Sequence, residues 1–249
     1  MNALRRALVI AVACLPALGA GGPASAAAAD LRGAGFNGIW SGDQGVLWDT
    51  SVKPGEKTRA PFTAEYAARY AESLAASARG KPKADPTTSC LPPGVPRILA
   101  SPFPFEVVVT PKTVYILYEY MSQTRRVHLD GSAPPPLGSP SFNGHSVGRW
   151  EGDTLVIETT DLNPKSVLDT THFPHSEALK AIERMRIVGP DKLEITITLD
   201  DPKAFTTPFT VVRTYTRKPG ERILEYVCAE NNRNPVNPDG TTGFTGASP

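Results

Sequence analysis

From Lys192 to Asp200 the chain alternates without interruption: Leu193, Ile195, Ile197 and Leu199 on one side, and Lys192, Glu194, Thr196, Thr198 and Asp200 on the other. Successive strand side chains point to opposite faces, so this pattern predicts a strand with one face in a core and one in water. Segments 105–110, 113–120, 124–129, 145–150, 154–160, 181–188, 208–216 and 222–229 carry the same period less cleanly, and 36–42 supplies a first strand. The links "TPKT", "WEGDT", "GPDK" and "KPGE" are short and rich in turn formers. Links of this length join antiparallel neighbours, because a parallel crossover takes roughly a dozen residues or more. The result is a meander of about eight to ten strands. Its edges must be closed or covered, so the expected fold is mainly β, an antiparallel up-and-down barrel.

One segment has a different period. In "FTAEYAARYAESLAASARG" (62–80), Tyr66, Tyr70 and Leu74 recur every fourth residue, Thr63 stands where a helix cap would, and Gly80 and Pro82 end the pattern. This predicts one helix, packed outside the barrel or plugging one end. "KPKADPTTSCLPPGVPR" (81–97) is proline-rich and irregular. Residues 62–97 therefore read as an insertion within a single domain spanning 36–232.

The chain ends change the picture of where the protein works. Residues 1–26 read as a signal peptide: Arg5 and Arg6 give the basic start, "ALVIAVACLPALGA" the apolar run, and Ala24-Ser25-Ala26 the small-residue cleavage site. That run is short of the roughly 18 to 20 residues a bilayer-spanning helix needs, which predicts an exported protein, periplasmic or secreted, without an integral membrane span. Residues 27–35 read as a linker and 233–249 as a mobile tail. With the leader removed, Cys90 and Cys228 remain. In an oxidising compartment they form either a disulfide or two buried free thiols. The net charge is +1 with scattered basic residues, which argues against nucleic acid as a partner.

Candidate chemistry concentrates in "GHSVGRWEGDTLVIETTDL" (144–162). Glu151-Gly152-Asp153 reads as a hairpin turn, with Asp153 positioned to accept backbone N–H groups. His145 shares a strand face with Val147 and Arg149, while Ser146 and Trp150 take the other. The strand's own alternation leaves both orientations open: inward, an imidazole and a guanidinium stand inside the barrel; outward, they are surface groups. In "DTTHFPHSE" (169–177), His172 and His175 with Asp169 and Glu177 could be a metal set only on a helix, which Pro174 opposes, so no metal is expected and His175-Ser176 reads as a turn. Glu119 is expected to pair across a hairpin with Arg125 or Arg126. Glu158, Glu183, Arg184 and Glu225 also lie within apolar strands, facing water or gathered and paired inside. The chain has no nucleophile elbow, phosphate loop, dinucleotide fingerprint or zinc helix, so no cofactor is expected.

Two functions remain. The first is small-molecule binding: an apolar or aromatic ligand held by Trp40, Tyr115, Tyr118, Trp150 and Tyr215. The second is a cofactor-free lyase, isomerase or cyclase. Here a lumen His145 acts as general acid or base, His175 faces it across the cavity if its loop folds over the mouth, Glu183 or Glu225 orients it, and Arg149 or Arg184 stabilises negative charge.

The stretch "GHSVGRWEGDTLVIET", with "CLPPGVPR" (90–97), "FPHSEALKAIERMR" (173–186), "DDPKAFTTPFT" (200–210) and "EYVCAEN" (225–231), resembles an uncharacterised family of exported bacterial proteins. The resemblance covers most of the chain after about residue 88. It implies export and brings no assigned catalytic residues. After Asp130-Gly131 such sequences often continue with a basic residue and His-Pro, where this chain has "SAPPPLGSP". "FNGIWSG" (36–42) resembles the Gly-x-Trp start of lipocalin-like barrels, which implies that Trp40 closes the barrel base.

Overall fold

The computed structural model describes residues 33–49, 58–133, 140–228 and 230. The expected signal peptide, the linker up to residue 32 and the expected tail lie outside the described residues. The described chain forms nine strands: β1 (Gly38–Gly42), β2 (Phe105–Val109), β3 (Thr113–Tyr118), β4 (Gln123–His128), β5 (His145–Glu151), β6 (Thr154–Thr160), β7 (Lys180–Gly189), β8 (Lys192–Asp200) and β9 (Phe209–Arg217). A helix, α1 (Ala64–Ala78), precedes β2. The strands close into one mainly β barrel in sequence order.

Closure is not wholly antiparallel, and the reason is parity. Around a ring of nine strands direction cannot alternate everywhere, so at least one neighbouring pair must run parallel. The protein places that pair at β4–β5, where Val127 pairs with Ser146 and His128 with Val147. Residues 129–144 join the two strands, enough for the dozen or so residues a parallel connection needs. β1 and β9 then close the ring antiparallel, with Trp40 opposite Arg217 and Gly42 opposite Tyr215.

The expected strand at 222–229 does not form; residues 221–227 carry no strand. With β1 already paired to β9, no edge is left for it. The segment instead runs as a strap beside the β3–β4 link. The Leu224 N–H donates to Glu119 Oε2 at 3.0 Å, and Tyr226 packs edge-on to Phe103 and Tyr120. A disulfide between Cys90 and Cys228 ties it down, which decides between the two states left open for these cysteines. Glu119 is thus engaged with the strap rather than with Arg125 or Arg126 in an ion pair.

The barrel has two unlike ends. At one, short turns join β2 to β3, β5 to β6 and β7 to β8. Gly152 at the β5–β6 turn has φ +63°, a left-handed conformation that glycine adopts without steric cost. Here Trp40 is fully buried and donates from Nε1 to the Phe36 carbonyl at 2.9 Å. Arg217 lies over its ring at 4.2 Å. At the other end the long segments 43–49, 62–104, 161–179 and 201–208 gather.

Helix α1 belongs to the long-loop end. Phe62, just before it, stacks on Phe205 and meets Phe173 at 4.9 Å. Tyr70 packs on Phe173, and its hydroxyl is 2.9 Å from that of Thr171. Tyr66 and Tyr70 are buried, as the four-residue period requires. Thr63 is the N-cap residue without a capping bond of its own; its hydroxyl donates to the Lys203 carbonyl. A tie to the β8–β9 loop replaces the expected helix cap.

Candidate functional site

Cross-strand partners share a face, so the buried alternation of β8 fixes every inward position in the barrel. Ile197 pairs with Glu183, Ala181 with Thr159, and Thr159 with Ser146. Ser146 pairs with Val127, which places Arg125, two residues earlier, inside as well. Phe105 pairs with Tyr118 and Trp40; Tyr215 and Arg213 pair with Leu193 and Ile195. The interior therefore contains a polar layer within an apolar wall.

Arg125 and Glu183 form the centre of this layer, both about as buried as any residue in the protein (side chains 1% and 0% exposed). The guanidinium donates to both carboxylate oxygens, at 2.9 and 2.8 Å. It also donates to Thr159 Oγ1 at 2.7 Å and to Ser146 Oγ at 3.0 Å. Those two hydroxyls are 2.9 Å apart. Burial alone would lower the Arg125 pKa, but attraction to and hydrogen bonding with Glu183 and Tyr118 together outweigh it and hold the group above its ordinary value. This bidentate pair is a closed, satisfied unit.

The residues around it are not satisfied. Tyr118 is buried with its hydroxyl beside the Arg125 guanidinium, without a hydrogen bond of good geometry. Burial pushes this phenol up to about 12, with neighbouring Arg125 drawing it down and Glu183 adding to the rise. Phe105 bridges Tyr118 and Tyr215 through ring contacts of 5.7 and 5.1 Å. Burial also raises the Tyr215 pKa, and its hydroxyl donates to the Leu99 carbonyl at 2.8 Å. Two residues before Tyr215, Arg213 is 2% exposed. It donates to the carbonyls of Gly45 and Leu47, while its Nε has no partner. Its guanidinium carbon is 5.5 Å from the ring centre of Trp48, whose Nε1 is also buried without a partner. Burial lowers the Arg213 pKa, opposed by attraction to Tyr215 and Asp169. Trp48, Arg213, Tyr215, Phe105, Tyr118, Arg125 and Glu183 thus form one continuous set from the long-loop end into the barrel.

The expected site residues divide. Trp40, Tyr118 and Tyr215 lie inside. Trp150 is on the inward face at the short-turn end, half-buried and edge-on to Phe36 at 5.4 Å. Tyr115 faces outward, opposite Arg126 and Val108. Of the two orientations left open for His145 the structure has the outward one, without the lumen histidine that the enzyme reading requires: His128 and His145 both stand on the outer face, where their rings stack 5.3 Å apart. The physical reason is register, since Ser146 is the inward residue and His145 must take the opposite side. His145 Nε2 is 2.8 Å from the Ser132 carbonyl. With Arg149, Glu158 and Thr160 it lines an outer-wall pocket of about 320 Å³. Arg149 and Arg184 are both exposed and share Glu151. Glu183 is inside and Glu225 lies on the strap. The structure does not bring these groups together.

His175 is buried in the long-loop end, away from His145. Its Nε2 is 2.9 Å from Ser166 Oγ and its Nδ1 is 2.8 Å from the Ser176 carbonyl. Ser176 in turn donates from its N–H and hydroxyl to Asp201, at 2.6 and 2.7 Å. Burial lowers the His175 pKa, offset in part by these carbonyl and hydroxyl contacts and by Asp201. The folded protein therefore resists a proton that the unfolded chain takes up below its ordinary value of 6.5, so stability is full above that pH and falls as pH drops below it. Partly buried His172, whose pKa burial also lowers, acts in the same direction. A fall in urea midpoint between pH 7 and about pH 5 is expected. His175→Asn is expected to flatten it, and a pH-independent midpoint would contradict this assignment.

Arg125, Arg213 and Trp48 are not among the residues the sequence singled out for function. Arg125 alternates with Val127, and Arg213 with Val211 and Tyr215, a signal for inward placement that the equally apolar Val212 obscures. Trp48 lies in an irregular segment and gives no periodic signal. No family model and no curated protein matches the chain.

Proposed function

We propose that this protein is an exported binding barrel whose guest is a small apolar or aromatic molecule held at the long-loop end of the interior. One observation carries the reading. Trp48 Nε1 and Arg213 Nε are buried polar atoms without partners, and they stand together, the guanidinium carbon 5.5 Å from the indole ring centre. More than about 90% of buried polar groups in folded proteins are paired, and each exception costs about 1–3 kcal/mol. Two unused donors in one place support a site where an acceptor-bearing guest completes the set. Phe105, Tyr118, Tyr215 and Trp48 supply aromatic surface for its body. Export is supported by the leader-like residues 1–26 and by the disulfide.

The test is calorimetric titration at neutral pH with cinnamate and cinnamamide, which share an aromatic body and differ in their acceptor head. Saturable binding of at least one probe, one per chain, is expected. Trp48→Phe removes a single N–H donor and is expected to weaken that binding about three- to tenfold. Absence of saturable binding for both probes would contradict the reading.

A further inference from the structure

We infer that the guest is an organic anion, a carboxylate or a group of like charge and shape, whose head is taken by Arg213 Nε–H and the Trp48 indole N–H. This rests on the binding reading above and adds the chemical class of the ligand.

Arg213 is a guanidinium 2% exposed to solvent and has no ion pair among the described residues. Its contrast is Arg125 on the same inner face, which meets a carboxylate at both nitrogens. An isolated buried charge is expensive, and proteins normally pair it. Arg213 instead uses its Nη atoms to hold the carbonyls of Gly45 and Leu47, which fixes the guanidinium plane and leaves Nε–H over.

Asp169 attracts Arg213 through space but makes no ion pair with it, and its oxygens serve other donors. Oδ2 accepts the Trp48 backbone N–H at 3.0 Å. Oδ1 accepts both the N–H and the hydroxyl of Thr171, at 2.8 and 2.5 Å. Asp169 therefore anchors the Trp48 backbone beside Arg213, and the Trp48 side-chain N–H stays unused.

Both leftover groups are donors, and neither can accept. Indole nitrogen and guanidinium nitrogen offer N–H only. A guest that presented a donor, such as an ammonium, would leave both unpaired and place like charges together. A neutral acceptor satisfies the hydrogen bonds but not the charge. An anion satisfies both, because it accepts the two N–H groups and neutralises the Arg213 charge.

The experiment compares cinnamate with cinnamamide at neutral pH, for the wild type and for Arg213→Gln. In the wild type, cinnamate is expected to bind about tenfold tighter or more, the ratio that replacing a neutral acceptor by a charged one supplies. In Arg213→Gln the preference is expected to vanish while cinnamamide binding persists. Trp48→Phe is expected to weaken both probes and keep the preference. Equal wild-type affinity for the two probes would overturn the anion assignment and leave the binding barrel standing. Failure of both probes to bind would overturn the binding reading as well. The wild-type comparison tests the anionic class of the guest even if a variant does not fold.

Discussion

Glu183→Gln is expected to destabilise the fold by about 3–5 kcal/mol, because it leaves the Arg125 charge buried and uncompensated. Arg125 has no alternative carboxylate among the described residues; its remaining partners are the hydroxyls of Ser146 and Thr159. Arg125→Met is expected to cost a similar amount by stranding Glu183. The double variant Arg125→Met/Glu183→Leu removes both charges and fills their space with apolar groups, so it is expected to cost less than either single change. Urea midpoints of the four proteins measure this cycle. Single changes that each cost less than about 1 kcal/mol would show the pair to be solvated, contrary to its burial.

Loss of the Cys90–Cys228 bridge ranks next. The bond joins residues 138 apart in sequence with Cα atoms 5.5 Å apart. In the chain-entropy model, releasing a loop of this size costs about 4–5 kcal/mol. The strap has little else to keep it in place. Leu224 is 66% exposed, and the strap's bonds to Glu119 and Ser122 are solvent-accessible. A paired Cys90→Ser/Cys228→Ser variant, and the wild type under reductant, are both expected to unfold at clearly lower urea concentration. The strap is also expected to become the first site of proteolytic cutting. A midpoint unaffected by reductant would mean that the bridge adds nothing to stability.

The barrel was legible in the sequence because most strands bury one face only, and period-two alternation records that directly. β8 is the clearest case, and its register then sets the neighbours. The parallel β4–β5 pair was not legible. Parity follows from a strand count, and the apolar residues of 222–229 counted as a strand although the closed ring has no edge for them. The barrel interior was half legible. Trp40, Tyr118 and Tyr215 point inward, as large aromatics on alternating strands suggest. His145 attracted attention by chemistry alone, and the two-residue rule that puts Ser146 inside puts His145 out. Arg125 and Arg213 read as ordinary charges, since only the assembled barrel reveals that one meets Glu183 and the other no carboxylate.

If a guest completes the donors at the long-loop end, the protein's three tryptophans report on it separately. Trp40 Nε1 is bonded to the Phe36 carbonyl, Trp150 packs on Phe36 at the short-turn end, and only Trp48 lies beside Arg213. Indole N–H resonances followed by nuclear magnetic resonance during a cinnamate titration should therefore show Trp48 moving strongly and saturably, with Trp40 and Trp150 nearly still. A Trp48 resonance that stays in place while cinnamate binds, or a shift confined to Trp150, would contradict the claim.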